Sequence, residues 1–185
     1  YLAEAAHYGS DYAASTYIHV VEGGCPVLTG GETYVNALFD IVPPTMKYFV
    51  TGELGCSGEG ETASWQISLS LWDCASRQRQ ATESGHATNA ELGALVLKLE
   101  HRLLARIGLK REQPLDDFYQ HPTAEVLPPY LTELGQAFML TLLANKHMPT
   151  SEMWGERAML DWPLNMALHW PSVEVPKLMY FSGLG

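Results

Sequence analysis

Residues 65–91 read WQISLSLWDCASRQRQATESGHATNAE. Read for residue types, the stretch offers Asp73, Cys74 and His86 with two tryptophans and a basic cluster, the makings of a cysteine–histidine site. Read for period, it is something else. Trp65, Ile67, Leu69 and Leu71 alternate with Gln66, Ser68, Ser70 and Trp72, the two-residue repeat of a strand with one buried face and one wetter face. DCASRQ (73–78) is turn chemistry, and RQATESGHA (79–87) reads as a returning strand. Thr88 and Glu91 then have the capping-box spacing that opens a helix. Leu92, Leu95, Val96, Leu99, Leu103 and Ile107 follow at helical intervals, and Gly108 stands where a C-terminal cap belongs.

Working outward, TYIHV within 13–22 is β-branched and aromatic and predicts a strand. YLAEAAHYG (1–9) predicts a short helix, and ETYVNALFDI (32–41) a second one, with Tyr34, Leu38 and Ile41 on one side. VPPT ends that helix. KYFVTGEL (47–54) predicts a strand, and GCSGEGE (55–61) a hairpin loop. Beyond Pro114 the pattern turns helical. Pro128-Pro129 opens a helix with Leu131, Leu134, Phe138 and Leu142 on one face. A second helix is expected from near Ser151 to Pro163, and a third from Ser172. The expected class is therefore α/β (α+β): a small mixed sheet covered by helices over 1–112, then an all-α helical-hairpin segment over 113–185.

The chain has 185 residues, 46% hydrophobic and 17% charged, which suits a packed core. Its net charge of −10 opposes nucleic acid as a general partner, since phosphate binding needs a cationic face. Seven of the eleven Lys and Arg nevertheless fall between 77 and 111, where the net charge is +4 and the remainder of the chain holds −14. An exposed helix face plus a hairpin turn accounts for this, with a local anion or partner site as the other reading. Cys25, Cys56 and Cys74 form no C-x-x-C pair and fit reduced thiols in a cytoplasmic protein, with one disulfide and a spare thiol as the alternative. No apolar run approaches a membrane span, and the start lacks a signal-peptide pattern. Tyr1 at the start and FSGLG at the end read as cuts in something longer.

From Tyr48 to Leu109 the order is strand YFVTGEL, glycine-rich loop, strand SWQISLSLWDC, polar turn and strand, then the long helix. This resembles the TolB amino-terminal domain, with Thr51-Gly52 and Asp73 at the family's "TG" step and turn aspartate. The resemblance implies an anticodon-binding-like α/β sandwich without catalytic residues of its own. The family's leading strand–helix unit has no clear counterpart in residues 1–45. LGQAF (134–138) is similar to the first helix of a tetratricopeptide repeat, and some relatives carry helical repeats after this domain.

The chemistry-bearing residues each have a plainer reading. Asp73 opposes ionisation of Cys74, and His86 lies about 20 Å down the returning strand by strand rise. The seven histidines never form H-x-x-x-H, so no metal site and no cofactor are expected. TGELGCSGEG lacks a phosphate-loop order and carries Glu53, Glu59 and Glu61. Trp72, on the wetter face, either packs under a neighbouring element or anchors a recognition surface flanked by Arg77 and Arg79. Trp154, Trp162, Trp170 and the nearby methionines are either core or the lining of a helical groove. The function these features suggest is a non-enzymatic module that binds a protein or small ligand. The alternative is an enzyme with a cleft around Cys74, Asp73 and Glu53. On this reading Leu99→Arg unfolds the sheet domain, a loss above ~3 kcal/mol for an unpaired buried charge; an unchanged thermal melt would remove the helix assignment.

Overall fold

The computed structural model describes residues 1–17, 32–109, 119–147 and 160–183. Its class is mixed α/β: one three-stranded antiparallel sheet and six helices among the described residues. The helices are α1 (Leu2–Tyr8), α2 (Glu32–Ile41), α3 (Leu92–Arg106), α4 (Leu127–Ala144), α5 (Asp161–His169) and α6 (Glu174–Gly183). The strands are β1 (Tyr48–Ser57), β2 (Ser64–Asp73) and β3 (Gln78–Thr88), in the order β1-β2-β3. Two compact units emerge, Leu28–Lys110 and a discontinuous one made of Tyr1–Val27 with Arg111–Gly185. The sequence-based division places residues 1–27 with the sheet instead.

In the sheet unit, the alternation of β2 becomes geometry. Ile67, Leu69 and Leu71 are buried under α3, which presents Leu99 and Leu103, both essentially without solvent exposure. Burying such side chains contributes roughly 1.5–3 kcal/mol each. The tip of Leu95 rests against Gly85 of β3, where an added Cβ would lie 2.5 Å from its Cδ1 and the leucine would have to turn aside. Glu83 points to the same face, and α3 supplies its partners: Arg106 Nη2 at 2.9 Å and Arg102 Nη1 at 3.8 Å. Two of the clustered basic residues are thus committed to the helix–sheet joint.

The connections follow their turn chemistry. Asp73 Oδ1 accepts from the Ser76 amide at 2.7 Å and the Ser76 hydroxyl at 2.9 Å, while Arg77 adopts a left-handed φ of 54°. β1 runs further than the sequence suggests, through Ser57, so only Gly58–Ala63 remain for the first hairpin turn. Gly58 there has φ 82°, a conformation that favours glycine. The Thr88–Glu91 capping box is present and first closes a 3-10 turn, Asn89–Glu91, from which α3 continues. Asn89 receives the Trp65 indole N–H on Oδ1 and donates from Nδ2 to the Gly60 carbonyl at 2.6 Å. One side chain therefore fastens the helix start to the far hairpin.

The sheet is wholly antiparallel among the described residues, and the strand expected over 13–22 is not one of its three. Residues 13–17 form no strand, and 18–22 lie outside the described residues. Residues 148–159 also lie outside them, including Trp154. Pro163 does not end a helix; it is the third residue of α5, where a missing amide donor costs nothing. α6 begins two residues after Ser172.

In the helical unit, α1 returns to the chain's second half. The Tyr1 hydroxyl bonds His121 Nε2 at 2.8 Å, Tyr8 stacks on Tyr119 with centroids 4.8 Å apart, and Tyr130 donates to the Glu4 carboxylate. The buried residues of α4 are Leu127, Tyr130, Glu133 and Leu142; of the expected face Leu142 is buried, while Leu131, Leu134 and Phe138 are half-buried. Tyr130 goes inward because its hydroxyl has a carboxylate to meet.

Glu133 is only 2% exposed, and among the described residues neither of its carboxyl oxygens has a hydrogen-bond partner. Burial pushes its pKa from the ordinary 4.5 up to about 7, and burial raises that of Glu4 as well. A raised carboxyl favours the folded state while protonated. Its stabilisation is therefore full below pH 4.5 and lost as pH rises through about 7, up to about 3 kcal/mol for Glu133. The helical unit is expected to melt lower at pH 8 than at pH 5, and Glu133→Gln to shrink that difference. Equal slopes of melting temperature against pH in the two proteins would contradict it.

Candidate functional site

The wetter sheet face carries an aromatic cluster at the end where the β2–β3 turn lies. Phe49 and Trp72 are direct partners in the β1–β2 ladder, and their rings lie 6.2 Å apart at 16°. Phe39 of α2 meets Phe49 edge-on at 4.9 Å and Trp72 at 6.2 Å. The Trp72 indole N–H is satisfied by Thr51 Oγ1 at 2.9 Å. Such edge and offset contacts suit the ring quadrupoles and are worth about 0.5–1.5 kcal/mol each beyond their burial. Trp72 remains half-buried.

Two guanidinium groups flank these rings. The ladder shifts register between Leu71 and Trp72, so Arg79, not Gln80, stands opposite Trp72. Bulges commonly re-aim a side chain in this way. The Arg79 guanidinium carbon lies 5.6 Å from the Trp72 ring centroid. Arg77, turned by its left-handed backbone, lies 5.3 Å over Phe39 and pairs with Asp40 at 2.5 Å. Both partners of that ion pair are more than half exposed, so it contributes about 0–1 kcal/mol. Its effect is to hold the guanidinium over the ring.

Beside the cluster is a groove of about 460 Å³ between the α2–β1 connection and the β2–β3 turn. Phe39, Val42, Pro43, Met46, Tyr48 and Cys74 line much of it. Its walls are fixed by backbone bonds, from the Met46 amide to the Pro43 carbonyl at 2.9 Å and from the Cys74 amide to the Lys47 carbonyl at 2.9 Å.

Trp72, Arg77 and Arg79 are thus brought together. Asp73 and Cys74 share the groove, but Glu53 does not join them. It pairs with Ser68, five rungs along the ladder from the Tyr48–Asp73 pair, roughly 17 Å by strand rise. His86 is opposite Gln66, seven rungs from Asp73, or roughly 23 Å. Burial and then the Asp73 charge push the Cys74 thiol up, the wrong direction for a nucleophile. The Asp73 carboxyl is held below the usual range by its bonds from Ser76 and is committed to the turn. Among the described residues no three His, Cys, Asp or Glu side chains are placed to hold a metal.

Sequence reasoning missed Phe39, Phe49, Thr51 and Asp40. Phe49 follows from the β1–β2 register alone, but that register required the true hairpin length. Phe39 and Asp40 come from a helix distant in sequence, and nothing in the stretch 65–91 points to them.

No family model matches this chain, and neither a curated protein nor a solved structure matches it. In alkylation followed by peptide mapping at pH 8, Cys74 is expected to react several-fold more slowly than the exposed Cys56. Faster reaction at Cys74 would reopen the nucleophile reading.

Proposed function

We propose that this chain is a non-enzymatic recognition module that holds a protein segment or small ligand against the end of its sheet. The observation that carries the reading is the half-buried Phe39–Phe49–Trp72 cluster, capped by Arg77 and Arg79 and continuous in sequence with a groove. Aromatic rings and arginine are the side chains that contribute most where partners meet, because they bury large area with little rotamer loss and retain a polar or cationic handle. The two arginines differ in role. Arg77 is neutralised by Asp40 and shapes the surface. Arg79 presents a cation stacked on Trp72 and is the group that selects an apolar ligand bearing a carboxylate or other acceptor.

Support for recognition over catalysis comes from the acid–base properties of the groove. Its thiol is shifted towards the protonated form and its carboxylate is tied into a turn, whereas a nucleophile or general base needs the opposite arrangement. The resemblance to the TolB amino-terminal domain agrees with such a role, and a groove of the tetratricopeptide-like helical segment is the other surface the reading allows.

Peptides selected from a random display library on the intact chain test the proposal. Binding is expected to fall at least tenfold in Arg79→Glu, about 1.4 kcal/mol, with an unchanged melting temperature. Trp72→Phe, which keeps the ring but loses the indole, should weaken it less. Selected peptides indifferent to both substitutions would sink the assignment.

A further inference from the structure

The opposite face of β1 has a different character. Val50, Gly52, Leu54 and Cys56 stand opposite Leu71, Leu69, Ile67 and Trp65, so they belong to the core side of the sheet. Yet α3 packs on β3 and β2, and Val50 and Leu54 are left 40% and 68% exposed. Among the described residues β1 pairs with β2 alone, which leaves its outer row of amides and carbonyls as an open edge.

Natural sheets protect such edges with lysine, proline, bulges or brevity. β1 has none of these: it is ten residues long, pairs with β2 without a register shift, and carries a single charge, Glu53. The other edge, β3, has a bulge, Arg79 and the Glu83 clasp. The sheet unit itself opposes a second copy only weakly. Residues 28–110 hold seven basic and nine acidic residues, a net −2 of the chain's −10.

We infer that β1 is a self-association edge, pairing antiparallel with β1 of a second copy about a two-fold axis at Gly52. Only a register that keeps like faces together is allowed, so each residue meets one of the same parity. Centred on Gly52, the two exposed apolar residues meet each other, Val50 against the partner copy's Leu54 and the reverse. Phe49 falls opposite Gly55, the arrangement in which an aromatic covers a bare glycine. Glu53 falls opposite Thr51. Centring one residue later sets Glu53 against its own copy, a like-charge pair that opposes association. Centring one residue earlier sets Val50 against Gly52 and leaves the apolar pair unmatched. The result is a continuous six-stranded sheet with both Phe39–Phe49–Trp72 clusters on one face, and Phe49 and Thr51 belong both to that cluster and to the new strand pair.

Sedimentation velocity on the full chain, with hydrogen exchange along β1, tests the pairing. Wild type is expected to dimerise with a constant on the order of tens of micromolar, the weak end for a small interface. Val50→Glu and Leu54→Arg should each weaken it at least tenfold while the far-UV spectrum is kept. Combining the two substitutions in one chain sets the introduced carboxylate of each copy against the introduced guanidinium of the other. That double variant should restore association to within a few-fold. The outer β1 amides should gain protection only as concentration rises. A wild-type chain that stays monomeric to several hundred micromolar overturns the inference, as does a double variant no better than the singles. Protection of the edge in dilute monomer overturns it too, by showing that another part of the same chain already covers β1.

Discussion

The joint between α3 and the β2–β3 ribbon is the constraint from which the rest of the sheet unit follows. A two-stranded ribbon is marginal in water, and it needs a third layer to hide its apolar row. Leu99 and Leu103 provide it over Ile67, Leu69 and Leu71, with the tip of Leu95 resting on Gly85 of β3. The joint is closed at its rim by Glu83, which faces the core side and is acceptable there only because Arg102 and Arg106 reach over it. Removing either arginine leaves the other, and a side chain at position 85 would have to turn the Leu95 tip aside.

Committing one face of β2 to that joint determines what the other face can be. Strict alternation turns Trp72 away from the helix, so the largest side chain of the strand has to find company elsewhere. Phe49 supplies it across the ladder, Phe39 from α2, and Thr51 takes the indole proton. The cluster is therefore a by-product of sheet geometry that α2, the bulge and the Asp73 turn have refined into a patterned surface. Its cations are placed by backbone means, one by a register shift and one by a left-handed residue.

The strand, turn, returning strand and capped helix of residues 65–108 were legible because each rests on local rules: a two-residue period, an Asx turn, a capping box, a 3.6-residue period. What the sequence concealed depends on partners far along the chain. Tyr130 and Glu133 look like a mixed helix surface until Glu4 and α1 are present to make that side the interior. Pro163 looks like a stop signal, although the same residue is tolerated in a first turn. At the site, Trp72, Arg77 and Arg79 could be named from one stretch, whereas Phe39 and Asp40 come from another element. The Cys74–His86 pairing dissolves for the same reason the fold was readable, since a ladder of known register separates them.

The contacts that tie α1 to the second half of the helical unit have a consequence for the order in which the protein assembles. Tyr1 meets His121 and Glu4 meets Tyr130 across separations of 120 and 126 residues, and the whole meander-and-helix unit lies between them in sequence. That inserted unit is built from neighbours in sequence, so its loops are short and cheap to close. On a ribosome it can be complete while the helical unit still lacks α4. The first helix emerges earliest, yet it must wait until last for its tyrosine and carboxyl partners. The helical unit can close only after α4 has been made, so its completion follows that of the unit inserted within it.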